Sequence, residues 1–234
     1  MQNHSTPRAV LLDAAGTLID VAGPLGDTYS GLAREFGGEL DPETLTTGFR
    51  IAFANTPPMA FPGRTGADLD RAERDWWRAV VDRVTRAAGG VPEFDAYFDR
   101  LYAHYASAPA WHVYPEVPEV LQALRARGLR LAVVSNFDTR LPPLLDALGL
   151  ATFFDAVVCS GEAGAAKPDG AIFARALAAL GVEASEALHV GDSREADYEG
   201  ARAAGIEALL VDRDADVHPA GTIPDLRGIL DFLD

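Results

Sequence analysis

Asp13, Ser135, Asn136, Lys167, Asp192 and Asp197 lie far apart in the sequence, yet each follows closely on a short apolar run. Carboxylates are hard oxygen ligands that suit an octahedral cation such as Mg²⁺. Beside such an ion a carboxylate is also a nucleophile, able to attack phosphorus and carry the phosphoryl group covalently. Ser135 and Asn136 offer a hydroxyl and an amide for phosphate oxygens, and the Lys167 ammonium can offset charge developing there. As a set, these residues have the chemistry of phosphoryl transfer.

Lys167 is the sharpest of these signals. Of the 20 Lys and Arg residues, 19 are Arg and this is the only Lys. A chain that uses Arg for its other cations has a use here for a compact ammonium with rotatable donors. Taken singly, the other candidates also have structural explanations. Ser135-Asn136 can open a helix, and Asp197 can be a charge at a helix start. Their joint occurrence at successive strand ends favours the chemical reading.

The elements that would position them follow from pattern. RAVLLD (8–13), LRLAVVS (129–135), FDAVVCS (154–160), EALHVGD (186–192) and EALLVD (207–212) have the length and apolar content of buried strands. Between them run helical stretches that each close on a glycine, at Gly128, Gly149, Gly181 and Gly205. Strand alternating with helix implies a parallel sheet covered on both faces. In such a sheet, ligands bind beyond the carboxyl ends of the strands. That edge is where the six residues would meet.

Residues 21–111 break the rhythm. Leu32 and Phe36, Leu45 with Phe49 and Phe53, Trp76 with Val80 and Val84, and Phe94 with Phe98, Leu101 and Tyr105 follow helical spacing. The expected fold class is therefore α/β: a Rossmann-like three-layer core of 1–20 and 112–234, with an all-helical insert over 21–111. Within the insert, 56–66 reads as a Pro/Gly-rich loop, and Trp76, Trp77, Tyr97, Phe98 and Tyr102 read as its core. His189 reads as a structural imidazole inside a strand, and Asp138 as a helix-start residue. Tyr29 and Arg50 of the insert could face a site and choose substrates, with an ordinary surface position the favoured reading for Arg50.

Composition limits the partners. A formal charge of −15 opposes binding to nucleic acid or anionic membranes, which demand clustered cations. A lone Cys159 excludes a disulfide framework. No apolar run reaches the roughly 20 residues of a membrane span, and the start lacks the pattern of a secretory signal. The expectation is a cytoplasmic protein, monomer or homodimer, acting on a small anionic, phosphorylated substrate.

The motifs resemble those of the haloacid dehalogenase superfamily over essentially the whole chain. Asp13 with Gly16-Thr17-Leu18 resembles its first motif, Ser135 its second, Lys167-Pro168 its third, and Gly191-Asp192 with Asp197 its fourth. The helical insert after the first strand resembles its type-one cap. GFR (48–50), WW (76–77), SNFDTRL (135–141) and DYEGARAAG (197–205) further resemble the subgroup of haloacid dehalogenase-like hydrolase domain-containing protein 3. The resemblance implies Mg²⁺ held by Asp13, Asp192, Asp197 and the Ala15 carbonyl. It also implies an aspartyl-phosphate on Asp13, phosphate contacts from Ser135, Asn136 and Lys167, and a cap that closes over substrate.

One position departs from the pattern. Phosphatases of the superfamily carry a second Asp two residues after the nucleophile, which protonates the leaving oxygen and then activates water; here that residue is Ala15. Loss of a positioned acid/base costs about 10²–10⁴-fold, so alkyl phosphate esters are expected to turn over weakly. Phosphonoacetaldehyde hydrolases also have Ala there, but they need a cap lysine, and residues 21–111 contain none. The 2-haloacid dehalogenases share a first motif like DAAGTL and use no metal. Extra carboxylates would blunt such a nucleophile, so Asp192 and Asp197 weigh towards phosphoryl transfer. A phosphate-binding module with little turnover is the third reading, motivated by Ala15.

Overall fold

Strands buried on both faces need apolar side chains at every position, and this chain supplies them in short Val, Leu and Ala runs. The computed structural model describes residues 7–215 and 217–234. Its strands are β1 (Ala9–Leu12), β2 (Ile19–Val21), β3 (Trp111–Val113), β4 (Arg130–Ser135), β5 (Ala156–Cys159), β6 (Ala187–Gly191), β7 (Glu207–Val211) and β8 (Thr222–Ile223). Six form one parallel sheet in the order β5-β4-β1-β6-β7-β8. All five strands expected from the sequence are present. β8 and the separate two-stranded sheet of β2 and β3 are too short to stand out as apolar runs.

Two compact units are resolved. One comprises residues up to 20, with 60–64 and 113–234; the other comprises 21–59 and 65–112. The second is helical: α1 (Leu25–Arg34), α2 (Pro42–Ala54), α3 (Gly66–Ala87) and α4 (Phe94–Tyr105). Its core gathers Leu45, Val80, Val84, Tyr97, Phe98 and Leu101, with Trp76, Trp77 and Tyr102 partly buried against it. Residues 60–64, in the Pro/Gly-rich stretch, group instead with the sheet. There Phe61 O accepts a turn bond from Arg64 N, and Pro62 Cα lies 2.9 Å from where a Cβ on Gly164 would be.

The sheet unit adds α5 (Val117–Ala126), α6 (Leu141–Ala147), α7 (Ser160–Ala163), α8 (Gly170–Leu180), α9 (Gly200–Ala203) and α10 (Arg227–Leu233). Alternation along each strand divides the sheet between two faces. Ala9, Leu11, Ala132 and Val134 pack with Ile172, Phe173 and Ala176 of α8. Their alternates Val10, Leu12, Leu131 and Val133 are equally buried. No helix among the described residues is long and apolar enough to cross a membrane.

The turn after β1 is tied down from outside. Ala14 O accepts from the amides of Thr17, Leu18 and Ile19. Arg213, just beyond β7, donates to Thr17 O at 2.9 Å and pairs with buried Glu116 at 2.7 Å. Its guanidinium stacks 3.5 Å from the centroid of the Tyr114 ring. A planar fork that serves a carbonyl, a carboxylate and an aromatic face together is a task for Arg. The segment that follows Asp13 is thereby anchored to the start of α5.

Candidate active site

The register decides what meets at the sheet's edge. Leu12 pairs with Val133 of β4 and Val190 of β6, so Asp13 emerges between those two strand ends, at the point where the strand order reverses. Its amide donates to Val190 O at 2.9 Å. The Asp13 carboxylate is buried and accepts from Lys167 Nζ at 2.7 Å. Lys167 Nζ also donates to Asp197 Oδ1 at 2.5 Å. A buried ammonium thus bridges two buried carboxylates from β1 and from the segment after β6.

Lys167 is held through its backbone as well. Asn136 Oδ1 accepts from Lys167 N at 2.7 Å, and Asn136 Nδ2 donates to Lys167 O at 2.9 Å. The Asn136 amide, expected at the phosphate, is thus engaged with both main-chain polar groups of the lysine. Ser135 is buried at the last position of β4. Ala15 is half-buried in the anchored turn.

Asp197 lies on a π-helical segment, Arg194–Glu199, a distortion often found at functional sites because it re-aims side chains. Ser193 caps that segment by accepting from Ala196 N at 3.1 Å. Asp197 Oδ2 accepts from Ser193 N at 3.0 Å. Oδ1 receives a second donor besides Lys167, His189 Nε2 at 2.9 Å.

Two glycines make the convergence possible. A Cβ on Gly191 would fall 2.2 Å from Asp197 Cγ, and one on Gly16 would fall 2.4 Å from Asp192 Oδ2. Gly16 also has φ +83°, a conformation that side chains resist. With neither Cβ present, ligand atoms of Asp13, Asp192 and Asp197 come within 4.8 Å of one another.

The electrostatics follow from that crowding. Burial disfavours the Asp13 anion more than Lys167 supports it, so its pKa is raised. Burial also works against the Lys167 ammonium, but Asp13 and Asp197 outweigh it, and its pKa rises. Asp197 shows the opposite balance: burial would raise it, yet Lys167 and His189 hold it well below the usual carboxylate range. Asp192 remains solvent accessible, and among the described residues no cation pairs with it. Desolvation, then the charges of Asp13 and Asp197, push it up to about 7.

Outside this cluster, Tyr29 is enclosed in the core of the helical unit, edge-on to Phe49 at 6.1 Å, and Arg50 is exposed. Asp138 is buried and accepts from Arg140 N and its guanidinium just before α6. What the sequence reading missed is the use of His189, Gly16 and Gly191. The signal available was their place in motifs already recognised, but the contacts that give them meaning are tertiary.

A parallel sheet with a buried carboxylate at the end of its central strand, a lysine beside it and two acidic residues after β6 defines a class of α/β hydrolase. Residues 7–205 match the family model for haloacid dehalogenase-like hydrolases, and the chain belongs to that family. Haloacid dehalogenase-like hydrolase domain-containing protein 3 of Mus musculus is 39% identical over 214 residues, covering 90% of this chain and 84% of that protein. A phosphoglycolate phosphatase of Caulobacter vibrioides is 34% identical over 235 residues, covering 95% of this chain and 90% of that one. Among solved structures, a 2-haloacid dehalogenase from Pseudomonas syringae is 25% identical with a TM-score of 0.65, covering 97% and 98% of the two chains.

The raised Asp192 pKa has a measurable consequence. An acid that titrates higher in the folded than in the unfolded state costs stability as pH rises from its ordinary value of about 4 to its folded value; for Asp192 that upper limit is about 7. In metal-free protein, Asp192→Asn is therefore expected to raise the melting temperature clearly more at pH 8 than at pH 5. Scanning calorimetry at both pH values measures this; an equal effect at both would contradict the crowding described.

Proposed function

We propose that the protein is a Mg²⁺-dependent phosphatase-type hydrolase in which Asp13 is the nucleophile. The observation that carries this is the imbalance of charge: three carboxylates converge within 4.8 Å, and one buried ammonium bridges two of them. The donors are all hard oxygens, and among the described residues no cation pairs with Asp192, which fits a divalent ion retaining several waters. Asp13, Asp192 and the Ala15 carbonyl would hold it. When bound, Mg²⁺ supplies charge that lowers repulsion between the Asp13 carboxylate and an anionic phosphate.

The chain's own residues do the rest. Asp13 attacks phosphorus as the bond to the leaving oxygen breaks, and water then cleaves the aspartyl-phosphate, releasing phosphate and restoring the carboxylate. Lys167 spends two of its three N–H donors on Asp13 and Asp197 and can give the third to a phosphate oxygen. The Ser135 hydroxyl is the second phosphate contact. Because Asn136 clasps the Lys167 backbone, we assign it to positioning the lysine. Asp197, with donors on both oxygens, likewise serves better as the holder of Lys167 than as a metal ligand. The helical unit acts as the cap.

Dehalogenation fits less well. A metal-free Asp13 would have to attack carbon with its pKa raised and Asp192 repelling it. A pure phosphate-binding role leaves the buried nucleophile–lysine pair without a use.

The test is incubation with acetyl phosphate and Mg²⁺ followed by intact mass spectrometry. One added phosphoryl group is expected on the wild type and none on Asp13→Asn; an adduct on neither would contradict the nucleophile. Ala15→Asp restores the missing acid, and turnover of alkyl phosphates is expected to rise by about 10²–10⁴-fold. Unchanged rates in a variant that still binds Mg²⁺ would refute the account of Ala15.

A further inference from the structure

His189 reads from sequence as a core histidine, and by burial it is one: it has no exposed surface and lies edge-on to Phe173, with ring centroids 5.1 Å apart. Its hydrogen bond distinguishes it from a space-filling residue. Nε2 lies 2.9 Å from Asp197 Oδ1, the same oxygen that receives Lys167 Nζ. Among the described residues Nδ1 is buried without a partner, so the polar engagement of the ring with them is through that one bond. The series Asp13–Lys167–Asp197–His189 runs through buried groups from the candidate nucleophile to the interior of β6.

We propose that His189 is a positioning residue: by donating to Asp197, it fixes where the Lys167 ammonium stands against Asp13 and substrate. This inference rests on the phosphoryl-transfer reading of the site. Lys167 has a four-carbon stem with free rotation, and a charge on such a stem is placed only by what receives it. Asp13 cannot be that anchor alone, because it is the group whose bonding changes in the reaction. Asp197 can, provided its carboxylate does not follow the lysine when Lys167 turns towards a phosphate. Ser193 N restrains Oδ2, and His189 restrains the Oδ1 that Lys167 uses. Donors behind a ligating or charged group commonly tune it in this way.

Replacing His189 by an apolar residue would leave a buried carboxylate with one donor fewer. Gln can present a side-chain N–H near the place of Nε2 and is the conservative variant.

The single lysine gives a direct readout, since lysine-selective ¹³C/¹⁵N labelling yields one side-chain Nζ signal, that of Lys167. The resting protein is compared as wild type, His189→Gln, His189→Phe and His189→Met, the Met variant carrying the test if Phe does not fold. The apolar variants are expected to shift or broaden the Nζ signal, and Gln to keep it near its wild-type position. With 4-nitrophenyl phosphate and Mg²⁺, kcat is expected to fall about tenfold in the apolar variants, with KM little changed and with recovery in Gln. A folded apolar variant with the wild-type Nζ signal and wild-type kcat would overturn the proposal. So would a Gln variant as impaired as the apolar ones. If the signal moves as expected but even the wild type shows no turnover or phosphoryl adduct, the positioning role stands and the phosphoryl-transfer reading fails.

Discussion

Everything at the sheet's edge is arranged around one buried ammonium. Lys167 Nζ bridges Asp13 and Asp197 in a place where an unpaired charge would be costly. Its position therefore has to be over-determined, and it is: Asn136 holds its backbone on both sides, and Asp197 holds its tip. Pro168 packs against Gly200, where a Cβ would come within 2.9 Å. Each support comes from a different part of the chain. The parallel sheet, with β1 between β4 and β6, is the frame that brings these parts together.

That arrangement leaves the edge electrostatically incomplete. One lysine serves two carboxylates, and Asp192, drawn in because Gly16 has no side chain, adds a third. The result is a carboxyl group at the surface of the site that titrates near neutrality. Strained ionisation of this kind marks places where something else is meant to bind. A divalent cation and an anionic phosphate, as proposed, would answer both parts of the imbalance. On that proposal, Ala15 would limit which leaving groups the site can release.

Much of this was legible in the sequence because strand ends are a strong positional code. Asp13, Lys167 and Asp192 could be placed at one edge from apolar runs alone, and the single lysine among 19 arginines marked itself. Other features depend on distances that no local pattern carries. Asn136 follows a strand as a phosphate contact would, but its partner is a backbone 31 positions away. His189 has the apolar neighbours of a core residue, and only the π-helical turn brings Asp197 back to it. β2, β3 and β8 are two or three residues long, below the length at which periodicity can speak. The grouping of 60–64 with the sheet, where Pro62 lies close to Gly164, is a tertiary feature that its Pro/Gly content did not announce.

The central claim is that Asp192 completes a Mg²⁺ site which, without the ion, it can occupy only at the cost of a raised pKa. A group held near 7 must give up its proton to bind a cation. Calorimetric titration of Mg²⁺ in two buffers of different ionisation enthalpy measures that proton directly. The account predicts net proton release at about pH 6.5, diminishing to none at about pH 8.5. Binding without proton release at the lower pH, or no binding at either, would contradict it.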